Sequence, residues 1–207
     1  MKHDLFIFPF NGNGVEALDC LGEQFNLLGF IDDTPEKQGM NQFGQMVYTR
    51  LHLQHHSNAK VLAVPGSPAS YKVRDKIISD LGISTENYAT VIHPKASVSP
   101  LAKIGNNVMI MAGVVITSNA VIEDHVCILP NTVIHHDVVV GKYSLIGSNV
   151  SIAGSTIIGQ NCYIGSGSRL INNITVGKYA LIGLGSNVIK SIGENSKVVG
   201  NPAKSIE

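Results

Sequence analysis

From Val98 to Val188 every sixth residue is aliphatic: Val98, Ile104, Ile110, Ile116, Ile122, Ile128, Ile134, Val140, Ile146, Ile152, Ile158, Ile164, Leu170, Val176, Ile182 and Val188. Sixteen unbroken repeats of so short a period leave little choice of fold, because self-similarity at a fixed spacing is how a solenoid is written in sequence. Six is not the helical period, but it is a multiple of the strand period of two, and so reads as a short strand followed by a turn. The aliphatic plugs the interior. Four positions later stands a small or β-branched residue (Ala102, Val108, Val114, Ala120 and onward to Cys162), which fills the space beside it. The position after the aliphatic is glycine seven times, as expected at corners too tight for a Cβ. Three hexads close a triangular coil of 18 residues, so the run makes about five coils of parallel β-helix.

The 15 basic and 15 acidic side chains of the 207-residue chain cancel, and nothing resembles the basic stripe that nucleic acid requires. No stretch approaches a membrane span, and the apolar run in MKHDLFIFPF is too short for a signal peptide. Cys20, Cys127 and Cys162 have no metal or redox spacing, which fits a soluble cytoplasmic protein with reduced thiols and no metal.

Ahead of the solenoid, residues 4–10 read as a buried strand, and residues 15–25 as a helix with an apolar stripe at Val15, Leu18, Leu21 and Phe25. A second strand, LLGFIDD, ends in Asp32 and Asp33. Residues 34–58 look irregular, 61–66 form a third strand and 70–82 a helix, and 88–94 a connecting strand. Beyond Val188 the period fails, and an extended tail follows with a turn at Gly200-Asn201-Pro202. The expected division is therefore an α/β Rossmann-like domain over 1–93, with three or four parallel strands, and the β-helix with its tail over 94–207.

Gly12-Asn13-Gly14-Val15-Glu16-Ala17 fits GxGxxA between a strand and a helix, and Asp32 lies 18 residues past Gly14. In that setting backbone N–H groups accept phosphate and the acid meets a ribose or base. A full dinucleotide domain runs to about 150 residues, so a single nucleotide diphosphate suits this smaller unit better. A tight turn with solvated acids is the plain alternative. Gly66, after the VLAV strand, extends the same crevice, with Lys72 or Arg74 as possible phosphate ligands or as ordinary surface charges.

In the solenoid, His135 takes a corner position usually given to glycine, and His136-Asp137 follows. Histidine is suited to lifting a proton near neutral pH, and a neighbouring carboxylate fixes its tautomer, although a histidine pair at a corner is also compatible with plain surface. Steps of 18 stack His136, Gly154 and Asn172 in one column; Ser148, Ser166 and Leu184 form another at a different corner. Corner side chains of one prism make no deep pocket, so a site between subunits of a closed trimer is expected.

FIDD, HPKASVSPLAKIG, IHHDVVVG and VVGNPAK, spread over essentially the whole chain, resemble the hexapeptide-repeat sugar acyltransferases of the PglD/NeuD type. The resemblance implies a left-handed β-helix behind a Rossmann-like domain, a homotrimer, and acyl-CoA-dependent N-acylation of a nucleotide-linked 4-amino-4,6-dideoxy sugar for surface polysaccharide or glycan synthesis. It implies that His136 is the general base with Asp137 behind it. Gly12, Gly14, Asp32 and Asp33 would hold the nucleotide sugar, and Gly154, Ser166 and Leu184 the acyl-CoA; Asn13 within the turn and Gly66 along the same crevice are further candidates for the nucleotide sugar, read from this chain itself. The chain departs from the family in its glycine-poor turn Phe10-Asn11-Gly12, in Asp rather than Glu at 137, and in Leu145 where some members have histidine. The competing readings are O-acetylation of a free sugar of the sialic-acid type, a zinc site built on His125, His135 and His136, and a non-catalytic assembly module.

Overall fold

The computed structural model describes residues 2–206. Its first unit is a five-stranded sheet of β1 (His3–Phe8), β2 (Phe25–Ile31), β3 (Gly39–Met40), β4 (Met46–Tyr48) and β5 (Lys60–Ala63), in the order β3-β4-β2-β1-β5. All pairings are parallel except that of the edge strand β3 with β4. Alternation along β1 decides what each sheet face covers. Phe6 and Phe8 pack with Leu53, Ile78 and Leu81, whereas Leu5 and Ile7 turn toward the solenoid.

The helices are shorter than their stripes suggest. The α-helix α1 spans Gly12–Glu16, passes into a 3-10 turn over Ala17–Cys20, and stops; Phe25 begins β2 instead of ending the helix. Likewise the expected 70–82 helix is a 3-10 turn at Tyr71–Val73 followed by α2 (Arg74–Ser79).

The solenoid consists of two-residue parallel strands, each bonded to strands one coil before and after. Three ladders result, as a hexapeptide-repeat, left-handed β-helix requires. Both inward columns fall where the period places them: the sixth-residue aliphatics and the small residues two before them form one core. A short strand, β6 (Val91–Ile92), pairs with Met109–Ile110, so the register reaches back to Ile92. At the far end the period is shortened, not lost. Ile182 pairs with Val198, 16 residues on, and Ile192 still packs against the core. The expected turn at Gly200-Asn201-Pro202 is present, and it folds the extended tail into a hairpin of Lys197–Gly200 and Ala203–Ile206 that closes the last coil.

Of the three prism faces, one carries the front sheet. Its outward column is apolar at every coil: Val91, Met109, Cys127, Leu145, Tyr163 and Leu181 all join the core shared with Leu5, Ile7 and Tyr71. The second face holds Ser97, Val115, Val133, Ser151, Arg169 and Asn187, and the third Lys103, Val121, Val139, Ile157 and Thr175. Chain order makes the corners follow: covered face to second, second to third, third back to covered.

Candidate active site

His136 and Asp137 stand at the corner between the second and third faces, opposite the face that carries the front sheet. His136 Nδ1 lies 2.8 Å from Asp137 Oδ2, and Asn119 Nδ2 donates to Asp137 Oδ1 at 3.2 Å. Asn119 is one coil below Asp137, a partner that the 18-residue arithmetic finds once it is applied downward from the acid. These hydrogen bonds, from His136 first and Asn119 second, hold the Asp137 carboxyl below its ordinary pKa. Asn119→Ala is therefore expected to return that carboxyl toward the ordinary range, as read by its carbon chemical shift against pH.

Asp137 has φ 60°, the left-handed position of the hexad, which aims its side chain back at the histidine. One coil above, a Cβ on Gly154 would sit 2.5 Å from His136 Cε1 and 2.6 Å from Nε2. The expected stacking is thus present, but the room left by Gly154 is taken up by the imidazole itself. With Nδ1 facing Asp137, Nε2 is the nitrogen left for a substrate proton.

Ser166 and Leu184 lie at a different corner, between the covered and second faces. Ser166 Oγ accepts from the Ser148 amide at 3.0 Å, and Leu184 is 70% exposed. Gly154 and this pair therefore do not meet within one protomer.

The front-domain residues divide between two clefts. Phe8, Pro9, Asp32, Asp33, Thr34, Pro35, Lys37 and Arg50 line an open cleft of 590 Å³ at the carboxyl ends of β1 and β2. Asn13, Gly66, Ser67 and Pro68 face Leu129, Leu145, Gly147 and Tyr163 across a second cleft of 210 Å³. Between them α1 begins, with Asn11 Oδ1 capping the Gly14 amide at 2.8 Å. Gly14 is sterically required, since a Cβ there would stand 2.3 Å from the Pro9 carbonyl oxygen.

Neither acid is free as a bare ligand. Lys37 Nζ reaches Asp32 Oδ2 at 2.7 Å and the Phe10 carbonyl at 2.8 Å, tying the turn to the end of β2. Burial pushes the Asp32 carboxyl up, but the hydrogen bonds from Lys37 and Thr34 outweigh it, and the pKa stays low. Asp33 holds the Arg50 side chain and accepts from its amide at 2.8 Å. Lys37 and Arg50 were not singled out in sequence, where residues 34–58 carry no period.

Arg74 is no phosphate ligand: it is fully buried and donates to the carbonyls of His125 and Tyr143 at 2.7 and 2.8 Å. His125 lies at this same third-to-covered corner, stacked on Tyr143 at 4.6 Å, away from His135 and His136. No cluster of three metal-ligating side chains occurs among the described residues. Burial, reinforced by Arg74 and Lys142 and opposed by Asp124, pushes His125 down to about 4. A histidine held neutral in the fold but protonated when unfolded loses stability as pH falls from about 6.5 toward 4. His125→Gln is expected to flatten the pH dependence of urea unfolding in that window, and an unchanged slope would contradict it.

The model for bacterial transferase hexapeptide repeats matches residues 102–135 and 119–154. Among solved structures, the acetyltransferase domain of PglB from Neisseria gonorrhoeae, in complex with acetyl coenzyme A, is 26% identical, with TM-score 0.87 and full coverage of both chains. PerB from Caulobacter crescentus, in complex with CoA and GDP-perosamine, is 24% identical with TM-score 0.84, over 100% of this chain and 98% of its own. WeeI from Acinetobacter baumannii is 24% identical with TM-score 0.82 over both whole chains. No curated protein matches the sequence. Residues 102–154 thus carry the repeats of the bacterial hexapeptide transferases. Over its whole length the chain resembles the sugar N-acetyltransferases of the PglD/NeuD type.

Proposed function

We propose that this protein transfers an acyl group, acetyl in the first instance, from acyl-CoA to the amino group of a nucleotide-linked 4-amino-4,6-dideoxy sugar destined for a surface polysaccharide or glycan. The observation that carries the reading is the His136–Asp137 pair, held at 2.8 Å and backed by Asn119, on an exposed corner where the imidazole packs against Gly154. His136 Nε2 accepts the proton as the amine nitrogen attacks the thioester carbonyl; the N–C bond forms, the C–S bond breaks, and CoA leaves as its thiol. The Gly154 amide, which donates to no other group among the described residues, is read as the donor to the developing oxyanion. Full-length likeness to an acetyltransferase domain that binds acetyl coenzyme A supports the donor, and the likeness to a perosamine N-acetyltransferase favours N-acylation over the O-acetyl alternative.

The acceptor is read as spanning the two clefts of a Rossmann-like unit over 1–93: base and ribose beside Asp32 and Asp33, pyrophosphate over Gly12–Gly14, sugar between Asn13, Gly66 and Leu145. That unit leads into the β-helix over 94–207. His136 faces away from its own front sheet, so the acceptor cleft of one protomer needs the His136 corner of another. A cytoplasmic homotrimer with sites between subunits satisfies this, and it also brings Gly154 of one copy toward Ser166 and Leu184 of the next along the CoA arm. The test is a panel of UDP-, dTDP- and GDP-linked 4-amino-4,6-dideoxy sugars and free sialic acid with acetyl-CoA, read as thiol release. Release with an amino-sugar nucleotide supports the proposal; release only with the free sugar overturns it.

A further inference from the structure

One corner of the solenoid is bonded to the front domain at coil after coil. Its left-handed residues are Asn107, His125, Tyr143, Asn161, Tyr179 and, after the shortened coil, Asn195. Asn107 exchanges two hydrogen bonds with the backbone of Ala63, at 2.7 and 2.8 Å. His125 and Tyr143 offer carbonyls to Arg74. Asn161 donates to the Tyr71 carbonyl at 3.1 Å, Tyr71 donates its hydroxyl to Tyr179 at 3.1 Å, and Lys72 meets Asn195 at 3.2 Å.

Arg74 is the odd member of this ladder. Its guanidinium is fully buried with no carboxylate against it, and its NH1 has no hydrogen-bond partner among the described residues. Burial lowers its pKa to about 10, so it remains a cation at neutral pH. A buried unpaired charge costs stability, and the coils on either side dock through the neutral asparagines Asn107 and Asn161, so docking alone does not account for an arginine here. Its free arm lies under Gly66. With φ +139°, Gly66 follows a path that L side chains rarely adopt, and a Cβ there would stand 2.8 Å from Arg74 NH1 and 2.7 Å from Leu145 Cδ1. Gly66, Ser67 and Pro68 form one wall of the 210 Å³ cleft, and Leu129, Leu145 and Gly147 the other.

We propose that Arg74 is a positioning residue: pinned across two solenoid coils, it props the Gly66–Pro68 loop and sets the width of the cleft that takes the sugar end of the acceptor. Its planar fork spans two carbonyls at once, which a lysine cannot reproduce. The assignment of an acceptor to that cleft rests on the function proposed above; the propping of the loop does not.

Arg74→Lys and Arg74→Gln are compared with Tyr71→Phe, which removes only the bond to Tyr179. The amides of Gly66, Ser67, Ala69 and Ser70 are expected to exchange with deuterium about tenfold faster in both Arg74 variants and at the wild-type rate in Tyr71→Phe, since one hydrogen bond to a charged group corresponds to a tenfold or larger effect. The KM for an amino-sugar nucleotide that the wild type turns over is expected to rise about tenfold, with the KM for acetyl-CoA within twofold. Unchanged exchange in the loop, or an equal rise in both KM values, would reduce Arg74 to a structural tie. A wild-type protein inactive on every acceptor would remove the functional reading and leave the exchange comparison to decide the role of Arg74. If Arg74→Gln does not fold, Arg74→Lys alone gives the same two readouts.

Discussion

Replacing His136 with alanine is expected to lower kcat by about 10²–10⁴-fold, the contribution a positioned general base makes to a proton transfer, while KM for acyl-CoA stays near the wild-type value. The side chain is 62% exposed at an open corner, and its bonds are to Asp137 and nothing deeper, so its removal leaves the coil intact. Thermal unfolding of the variant should therefore match the wild type. Asp137→Asn is expected to cost less, because it keeps the ring in place and changes the tautomer. Turnover unaltered in His136→Ala would remove the base assignment and leave the fold and the resemblance standing.

The largest effect on stability is expected from Ile146→Ala. Ile146 is fully buried in the solenoid core, in register with Ile128 below and Ile164 above. Truncation removes apolar contact and leaves a cavity that stacked rigid coils do not close, a cost of about 2–5 kcal/mol. For a chain of this length that lowers the melting temperature by on the order of 10 °C. Ile157 is the control: it occupies the outward column of the third face and is 47% exposed, so Ile157→Ala in the isolated protomer should cost well under 1 kcal/mol. Equal losses from the two, measured by circular dichroism, would contradict the division of the hexad into inward and outward positions.

The solenoid was legible because each of its physical demands recurs. The aliphatic column Val98–Val188 and the small column beside it define the core, and the same spacing places His136 beneath Gly154. Two further periodic signals pass unnoticed when only the sixth residue is counted. The residues three after the aliphatics are left-handed from Asn107 to Gly185, and asparagine or glycine, which tolerate that conformation, fill nine of those fourteen positions. The outward column Val91, Met109, Cys127, Leu145, Tyr163 and Leu181 announces, at a spacing of 18, that one face is covered. The front unit gave up less. Its α1 is five residues long, and the apolar stripe ending at Phe25 is split, with Val15 in α1, Leu18 in the 3-10 turn, Leu21 just past it and Phe25 in β2. Local composition does not fix where a short helix stops when packing decides it. Arg74 reads as a surface charge because nothing local marks it as buried; only the docking of the two units makes it so. Lys37 and Arg50 lie in a stretch with no period: the 3-10 turn at Pro35–Lys37 folds Lys37 back onto Asp32, and the pairing of β4 with β2 brings Arg50 against Asp33.

The most direct test of the central claim is the identity of the bond made. With acetyl-CoA and a nucleotide-linked 4-amino-4,6-dideoxy sugar, mass spectrometry should find one acetyl group added to the nucleotide sugar. That group should resist hydroxylamine as an amide does, and it should form far more slowly with His136→Ala. An acetyl group released by hydroxylamine, marking an ester, or an amide formed at the wild-type rate by His136→Ala, would contradict the account.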